Sequence, residues 1–122
     1  MHRIRLTILF MFFCVLSFTQ TIDIVNFNSS TDYCPGSGVS VHINPTGVFT
    51  FENAGNLQDS ANNSFILEIS GAGGDWSNPT TLSTVYDFYT PLINGTLPAN
   101  LAAGDYQLRV RSTQPAVTSA ST

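Results

Sequence analysis

Apolar and polar residues alternate along short runs of this chain, and this period of two constrains its fold more than any other feature. The clearest run is Asp105–Ser112 (DYQLRVRS), in which apolar side chains occupy every second position. Successive side chains of a β-strand point to opposite faces of the sheet, so this period predicts a strand with one buried face. Arg109 and Arg111 fall on the other face, and we expect both to point to solvent.

Other runs rich in β-branched and aromatic residues are separated by glycine, proline, asparagine and serine, which is the pattern of short strands joined by turns. No stretch after Gln20 is long enough to predict a helix. The same alternation turns His42 and Glu68 outward in their runs. The predicted strands are Thr21–Phe27, Val39–Asn44, Ser64–Ser70, Thr80–Tyr86, Leu92–Leu97 and Asp105–Ser112, with a short piece at Val48–Phe51.

These strands predict an all-β fold in which two half-buried sheets pack face to face. About one hundred residues with short strands and regular turns are typical of an immunoglobulin-like antiparallel β-sandwich. A barrel is disfavoured because no feature of the sequence indicates closure.

Tyr106 follows Gly104 and Asp105 just before the most regular run. In immunoglobulin-like sandwiches a tyrosine at this corner donates its hydroxyl to backbone a few residues upstream. The alternative is an ordinary strand tyrosine with its ring in the core, and the sequence favours neither.

The first 19 residues have the pattern of a signal peptide. Basic residues in Met1–Arg5 precede a 13-residue apolar run, Leu6–Phe18, and Ser17 and Thr19 place small residues at the −3 and −1 positions before Gln20. A membrane anchor is the alternative, but a span needs about 20 apolar residues. We therefore expect export to the cell surface or the medium, with no membrane span in the mature chain.

Charge restricts the partners of the exported part. Without the first 19 residues, Arg109 and Arg111 stand against all eight carboxylates, and the chain contains no lysine. Nucleic acids and anionic membranes are bound through lysine and arginine, so both are disfavoured as partners.

Reactive side chains are equally scarce. His42 and Cys34 are the only histidine and cysteine after residue 19, which argues against a Cys/His metal site and against a catalytic triad. Cys34 is expected to be buried and inert or to pair outside this segment. Calcium could use Asp75, Asp59 and Glu52, but ordinary turn positions are favoured because no calcium-loop spacing is present. We predict no cofactor, no metal and no enzymatic activity.

One group of aromatic residues could form a binding face. Trp76, Tyr86 and Tyr89, with Phe88, could stack on sugar rings as a carbohydrate-binding platform. The favoured alternative is that Trp76 plugs one end of the sandwich while Tyr86 and Phe88 fill the core, since a small domain must bury most of its large apolar side chains.

Four parts of the exported region carry a resemblance to a known family: Tyr33–Gly38, Phe65–Ser70 with the following Gly71–Trp76, Asn78-Pro79, and the closing block Gly95–Pro115. They resemble immunoglobulin-like modules repeated in long secreted surface proteins of Bacteroidetes-type bacteria, including gliding-motility-associated adhesins exported by type IX secretion. The resemblance covers most of the exported part and is most specific at the closing block.

The resemblance implies a structural or adhesive module and supplies no catalytic residue. The sequence departs from it at Leu57–Asn63, where a longer loop or a register different from that of the family is expected. Within that loop, Asp59-Ser60-Ala61 is similar to the O-glycosylation motif of that bacterial group, which makes Ser60 a candidate glycan attachment site.

By pattern alone, the end of the chain is one strand short of this fold. An immunoglobulin sandwich needs seven strands, whereas about six precede the polar residues Val117–Thr122. We therefore expect a domain over residues 20–116 that lacks its last strand, followed at 117–122 by a Ser/Thr-rich tail, a linker or the start of that strand. The sequence is then an N-terminal fragment of a longer chain, or a partner chain donates the strand.

Together these patterns predict a non-enzymatic structural or adhesion module of an exported bacterial protein. Its partners would be neighbouring modules and a surface glycan or protein ligand that the sequence does not identify. The alternatives are a carbohydrate-binding module using Trp76, Tyr86 and Tyr89, or a spacer domain of a secreted enzyme.

Overall fold

All secondary structure in the described residues is antiparallel β-sheet. The computed structural model describes residues 19–49 and 63–122, and two sheets pack together there as a β-sandwich, which confirms the predicted all-β class. Its strands are β1 (Thr21–Val25), β2 (Gly38–Thr46), β3 (Ser64–Gly71), β4 (Asp75–Tyr86), β5 (Leu92–Thr96), β6 (Leu108–Thr113) and β7 (Ala116–Thr118).

The two sheets differ in size and in the order of their strands. One sheet has three strands in the order β1-β2-β5, and the other has four in the order β4-β3-β6-β7. The chain thus completes β1 and β2 in the first sheet, forms β3 and β4 in the second, returns for β5, and ends in the second sheet. β2, β3 and β6 each have a neighbour on both sides, so they are the central strands.

The core lies between the sheets, on the faces that the alternation predicts. Burial alternates strictly along β2, and Phe65 and Leu67 of β3 are fully buried opposite Ser112 and Val110 of β6. The Phe65 ring also packs against Phe49, with centroids 5.2 Å apart. The buried hydrophobic residues are Ile22, Val39, Val41, Ile43, Phe49, Phe65, Leu67, Ile69, Ile93, Leu97, Leu108 and Val110.

β4 begins five residues before the predicted start at Thr80. Gly73 and Gly74 both have positive φ and form the tight turn from β3, so pairing resumes at Asp75, opposite Gly71. Pro79 lies within the strand and has no N–H to donate. An edge strand such as β4 tolerates this, because one side of its backbone has no partner strand.

Tyr106 makes the corner contact, which was one of the two alternatives that the sequence left open. Its hydroxyl donates to the carbonyl oxygen of Ala102 at 2.8 Å, and its ring packs partly buried against the core. This bond fixes the turn that leads into β6, which begins at Leu108 rather than at the predicted Asp105.

The expectation of a missing last strand was wrong. β7 pairs with β6, and the backbone continues to pair beyond it, with Ser119 N–H donating to the Val110 carbonyl at 2.8 Å and Leu108 and Thr122 exchanging two hydrogen bonds. Backbone groups make these bonds, so no alternating apolar side chains are needed, and the sequence pattern therefore missed the strand.

We predict that Tyr106→Phe lowers the free energy of unfolding by about 0.5–1.5 kcal/mol, because it removes one hydrogen bond and keeps the packed ring. Urea denaturation measures the change. Tyr33→Phe is the matched control, since the Tyr33 ring stacks on Phe27 but its hydroxyl makes no hydrogen bond to a described residue. Equal stability of the two variants would contradict a structural role for the corner.

We predict that Ser119→Ala destabilises the protein by about 1–3 kcal/mol, since it removes the hydroxyl oxygen that accepts from the buried Val110 N–H. Ser121→Ala should change stability by less than about 0.5 kcal/mol because Ser121 is exposed. Thermal or urea unfolding compares the two. If both substitutions are neutral, the residues after β7 do not contribute to the sheet.

Candidate functional site

The outer face of the four-stranded sheet carries an ion-pair network centred on Glu68. Glu68 lies on β3, points away from the core, and is nevertheless only 3% exposed. On the neighbouring strand β6, Arg109 is its direct cross-strand partner and Arg111 lies two residues further along the same face. This register places both arginines of the described chain beside a single carboxylate.

Each arginine binds a different oxygen of that carboxylate. Arg109 donates from Nε to Glu68 Oε2 at 3.0 Å, and Arg111 donates from Nε to Oε1 at 2.6 Å. The arginine side chains remain 24% and 37% exposed, respectively. They lie on the predicted outer face but fold over Glu68 instead of extending into solvent. Alternation fixes the face of a strand residue, whereas its exposure depends on what the adjacent strand supplies.

Trp76 extends the network along the same face. The Arg109 guanidinium carbon lies 4.1 Å from the centroid of the indole ring, within cation–π distance. The indole N–H donates to Gln107 Oε1 at 3.3 Å. We call Glu68, Trp76, Gln107, Arg109 and Arg111 the Glu68 cluster.

The residues on either side of Trp76 at the start of β4 help to position it. Asp75 Oδ1 accepts a hydrogen bond from the Ser77 backbone N–H at 2.9 Å. This bond, together with one from the Ser77 hydroxyl, holds the pKa of Asp75 below its usual value. Because the pKa is lower in the folded state, the resulting stabilisation is present above the ordinary pKa and is lost as the pH falls.

The structure separates the aromatic residues that the sequence grouped together. Trp76 and Tyr86 lie ten positions apart on β4, which corresponds to roughly 30 Å along the strand at about 3.3 Å per residue. Trp76 therefore belongs to the Glu68 cluster, whereas Tyr86 and Tyr89 lie at the far end of β4.

The expectation that Tyr86 and Phe88 fill the core was wrong. Tyr86 is 71% exposed, Phe88 51% and Tyr89 49%. The register explains Tyr86, because Val85 pairs with the inward-facing Phe65 and the next residue must face outward. We call Tyr86 and Tyr89 the exposed tyrosine pair.

A cavity of about 420 Å³ opens at the end of the sandwich near the Tyr106 corner. Its floor reaches core residues such as Val39 and Leu108, and Asp32 and Asp105 contribute carboxylates to its lining. Among the residues that the structure describes, no lysine, arginine or histidine lines it. The cavity is formed by loops that are distant in sequence, and no local pattern predicts it.

Cys34 and His42 do not form a reactive site in the described structure. Cys34 is an exposed free thiol, so the expectation that it is buried was wrong. His42 lies on the outer face of the three-stranded sheet, as predicted, opposite Val25 and Leu92.

Some predicted residues lie outside the described ranges. They include Ser60, the candidate glycan attachment site, and the proposed calcium ligands Asp59 and Glu52. Within residues 19–49 and 63–122, no three His, Cys, Asp or Glu side chains come close enough to hold a metal ion. The same ranges contain no helix with the length and hydrophobicity of a membrane span.

A scan of protein-family models, a search of curated proteins and a search of solved structures each returned no significant match.

We predict that Glu68→Gln lowers the free energy of unfolding by about 1–3 kcal/mol, because two arginines lose their charged partner. The loss should be smaller than for a fully buried ion pair, since both arginines contact water. Asp23→Asn, an equivalent substitution at an exposed carboxylate, should change stability by less than about 0.5 kcal/mol. Urea titrations of both variants test this, and equal midpoints would show that Glu68 contributes nothing to folding.

Proposed function

We propose that this chain is a non-enzymatic, immunoglobulin-like binding module of an exported bacterial surface or secreted protein. The strand order is the observation that carries the proposal. In immunoglobulin-related sandwiches the third, sixth and seventh strands form one sheet, and the first, second and fifth lie together in the other. The orders β4-β3-β6-β7 and β1-β2-β5 agree with this arrangement for six strands, whereas β4 lies beside β3 instead of joining the sheet of β1, β2 and β5.

The Tyr106 corner gives the proposal independent support. Its position just before the sixth strand and its hydrogen bond to backbone four residues upstream match the tyrosine corner of immunoglobulin-related folds. This contact does not depend on the pairing of the strands, so the two observations agree without repeating each other.

The positions of Gln20 and Thr122 are compatible with a module in a series. Gln20 lies beside Gly47 and donates from its side chain to the Val48 carbonyl, at the end of β2. Thr122 pairs with Leu108 at the opposite end of the sandwich. A module joined at the Thr122 end would therefore leave the outer faces of the sheets uncovered.

Carbohydrate binding is the second candidate function, and the exposed tyrosine pair favours it. Tyr86 and Tyr89 offer ring surface that a sugar could stack on, beside hydroxyl groups that could bond to it. Trp76 cannot belong to the same platform because of its distance from Tyr86. The candidate set of three aromatic residues is thereby reduced to two.

The proposal is tested by expressing the full chain with its native N-terminus in a Gram-negative bacterium and recovering the exported product. We expect the mass of the exported product to be that of a chain whose first residue is Gln20. We also expect the purified product to bind intact bacterial cells or immobilised glycans without altering them chemically. Chromatography and mass spectrometry of the incubated glycans provide the second measurement.

Retention in the cytoplasm, or chemical conversion of any glycan on the array, would contradict the proposal. The Tyr86→Ala/Tyr89→Ala double variant decides between the two candidates. Loss of glycan binding in this variant, with binding retained in Val48→Ala, assigns the ligand to the tyrosines. Val48 is a suitable control because it is 66% exposed and lies outside the pair.

A further inference from the structure

We propose that the Glu68 cluster binds the carboxylate of a single acidic sugar residue within an otherwise neutral glycan. This inference deepens the proposed binding function and rests on it, since it names a class of ligand and the surface that receives it. The argument uses the charge of the cluster, the unused donors of its arginines and the groups that surround them.

The cluster keeps a net positive charge after its internal pairing. Arg109 and Arg111 share one carboxylate, so two positive charges meet one negative charge. Both arginines contact Glu68 through Nε, and the terminal amino groups of neither side chain bond to another described residue. Four N–H bonds on each guanidinium therefore remain for a ligand, and the partial exposure of both side chains makes them accessible.

Glu68 fixes the geometry that an anion would meet. Because its two oxygens each hold one arginine, the guanidinium groups lie side by side on the sheet, and Trp76 restrains Arg109 from the other side. Planar, orientated guanidinium groups bind carboxylates through paired hydrogen bonds, so this arrangement reduces the ordering cost of recognition.

Stability alone explains the arrangement poorly. Burying a carboxylate has a large desolvation cost, and a hydrophobic residue in place of a buried ion pair is often as stabilising or more so. Ile66 occupies the same face two residues away on β3, so a hydrophobic side chain would be compatible with this surface. The buried glutamate is better explained as a support for two arginines that act outward.

The surrounding groups favour a sugar over other anions. Thr81 pairs directly with Glu68 and Thr84 with Ile66, so exposed hydroxyl groups on β4 flank Glu68 on the side opposite β6, and the Trp76 ring borders Arg109. The rest of the chain is strongly acidic. Extended polyanions such as nucleic acids would be repelled at most of the surface, whereas a single carboxylate among neutral sugars would meet only the cluster.

Sialyllactose and lactose provide a matched pair of probes, since the sialic acid residue adds one carboxylate to an otherwise neutral glycan. Trp76 is the only tryptophan in the chain, so its fluorescence reports directly on the cluster. We expect sialyllactose, but not lactose, to change this fluorescence with saturation at low ionic strength, and we expect the affinity to fall as salt is added.

Arg111→Gln should weaken sialyllactose binding by about tenfold or more, as expected for the loss of hydrogen bonds to a charged group. Arg111→Lys keeps the charge without the paired donors, and its affinity for sialyllactose should fall between those of the wild type and Arg111→Gln. Thr46→Glu is the control, because it makes the same change in net charge on the opposite sheet and should leave the affinity within about twofold. Urea denaturation shows whether each variant is folded. If Arg111→Gln does not fold, the sialyllactose affinity of Arg111→Lys is compared with that of Thr46→Glu instead.

Each other outcome overturns a defined part of the inference. Equal binding of lactose and sialyllactose, or equal affinity of Arg111→Gln and wild type, would reject the anion site while leaving a binding module in place. Equal affinity of Arg111→Lys and wild type would reject recognition through paired donors. Binding of a capped glutamyl tripeptide as tightly as sialyllactose would reject the sugar specificity. Absence of any binding, by a chain that is exported and adheres to cells, would reject this site alone, whereas a chain that fails at export or adhesion fails the proposed function itself.

Discussion

The apolar face of β3 is the feature on which the rest of the structure depends. Phe65, Leu67 and Ile69 fill the centre of the sandwich, and the backbone of the same strand pairs with β4 on one side and β6 on the other. Burial of apolar area is the main favourable term in folding, so this strand anchors the four-stranded sheet to the first. Glu68 points outward between the buried residues Leu67 and Ile69, so packing in the core also fixes its position.

Because buried and outward-facing residues share the same strands, a small acidic chain can present a defined positively charged cluster. Arg109 and Arg111 alternate with the buried Leu108 and Val110, so packing inside the sandwich also fixes where the arginines emerge. A site built on central strands is held more precisely than one on loops. Trp76, which approaches from an edge strand, depends instead on hydrogen bonds to its neighbours.

The sequence predicted the fold well where burial and alternation coincide. The inward residues of β2, β3 and β6 were identified because one-sided burial imposes a period of two. Glu68 and its arginines were assigned to the correct face, but their contact was missed, since it depends on the register between strands distant in sequence. Tyr86 was misassigned to the core because its hydrophobicity was considered without its pairing partner.

The end of the chain shows a different limit of sequence patterns. Residues 116–122 join the sheet mainly through backbone hydrogen bonds, and the hydroxyl of Ser119 takes part where an apolar side chain would be expected. The spacing of hydrophobic residues does not predict such bonds. The cavity near Tyr106 is invisible to the same approach, because it is defined by the space between loops.

The location of Gln20 and Thr122 at opposite ends of the sandwich has a mechanical consequence. Tension applied between them would act along the strands, and antiparallel hydrogen bonds lie perpendicular to the strands. The bonds that join β1 to β2, and the last residues to β6, would then be loaded together in shear instead of opening one after another. The same backbone pairing that completes the sheet would let the domain carry force without unravelling from its ends.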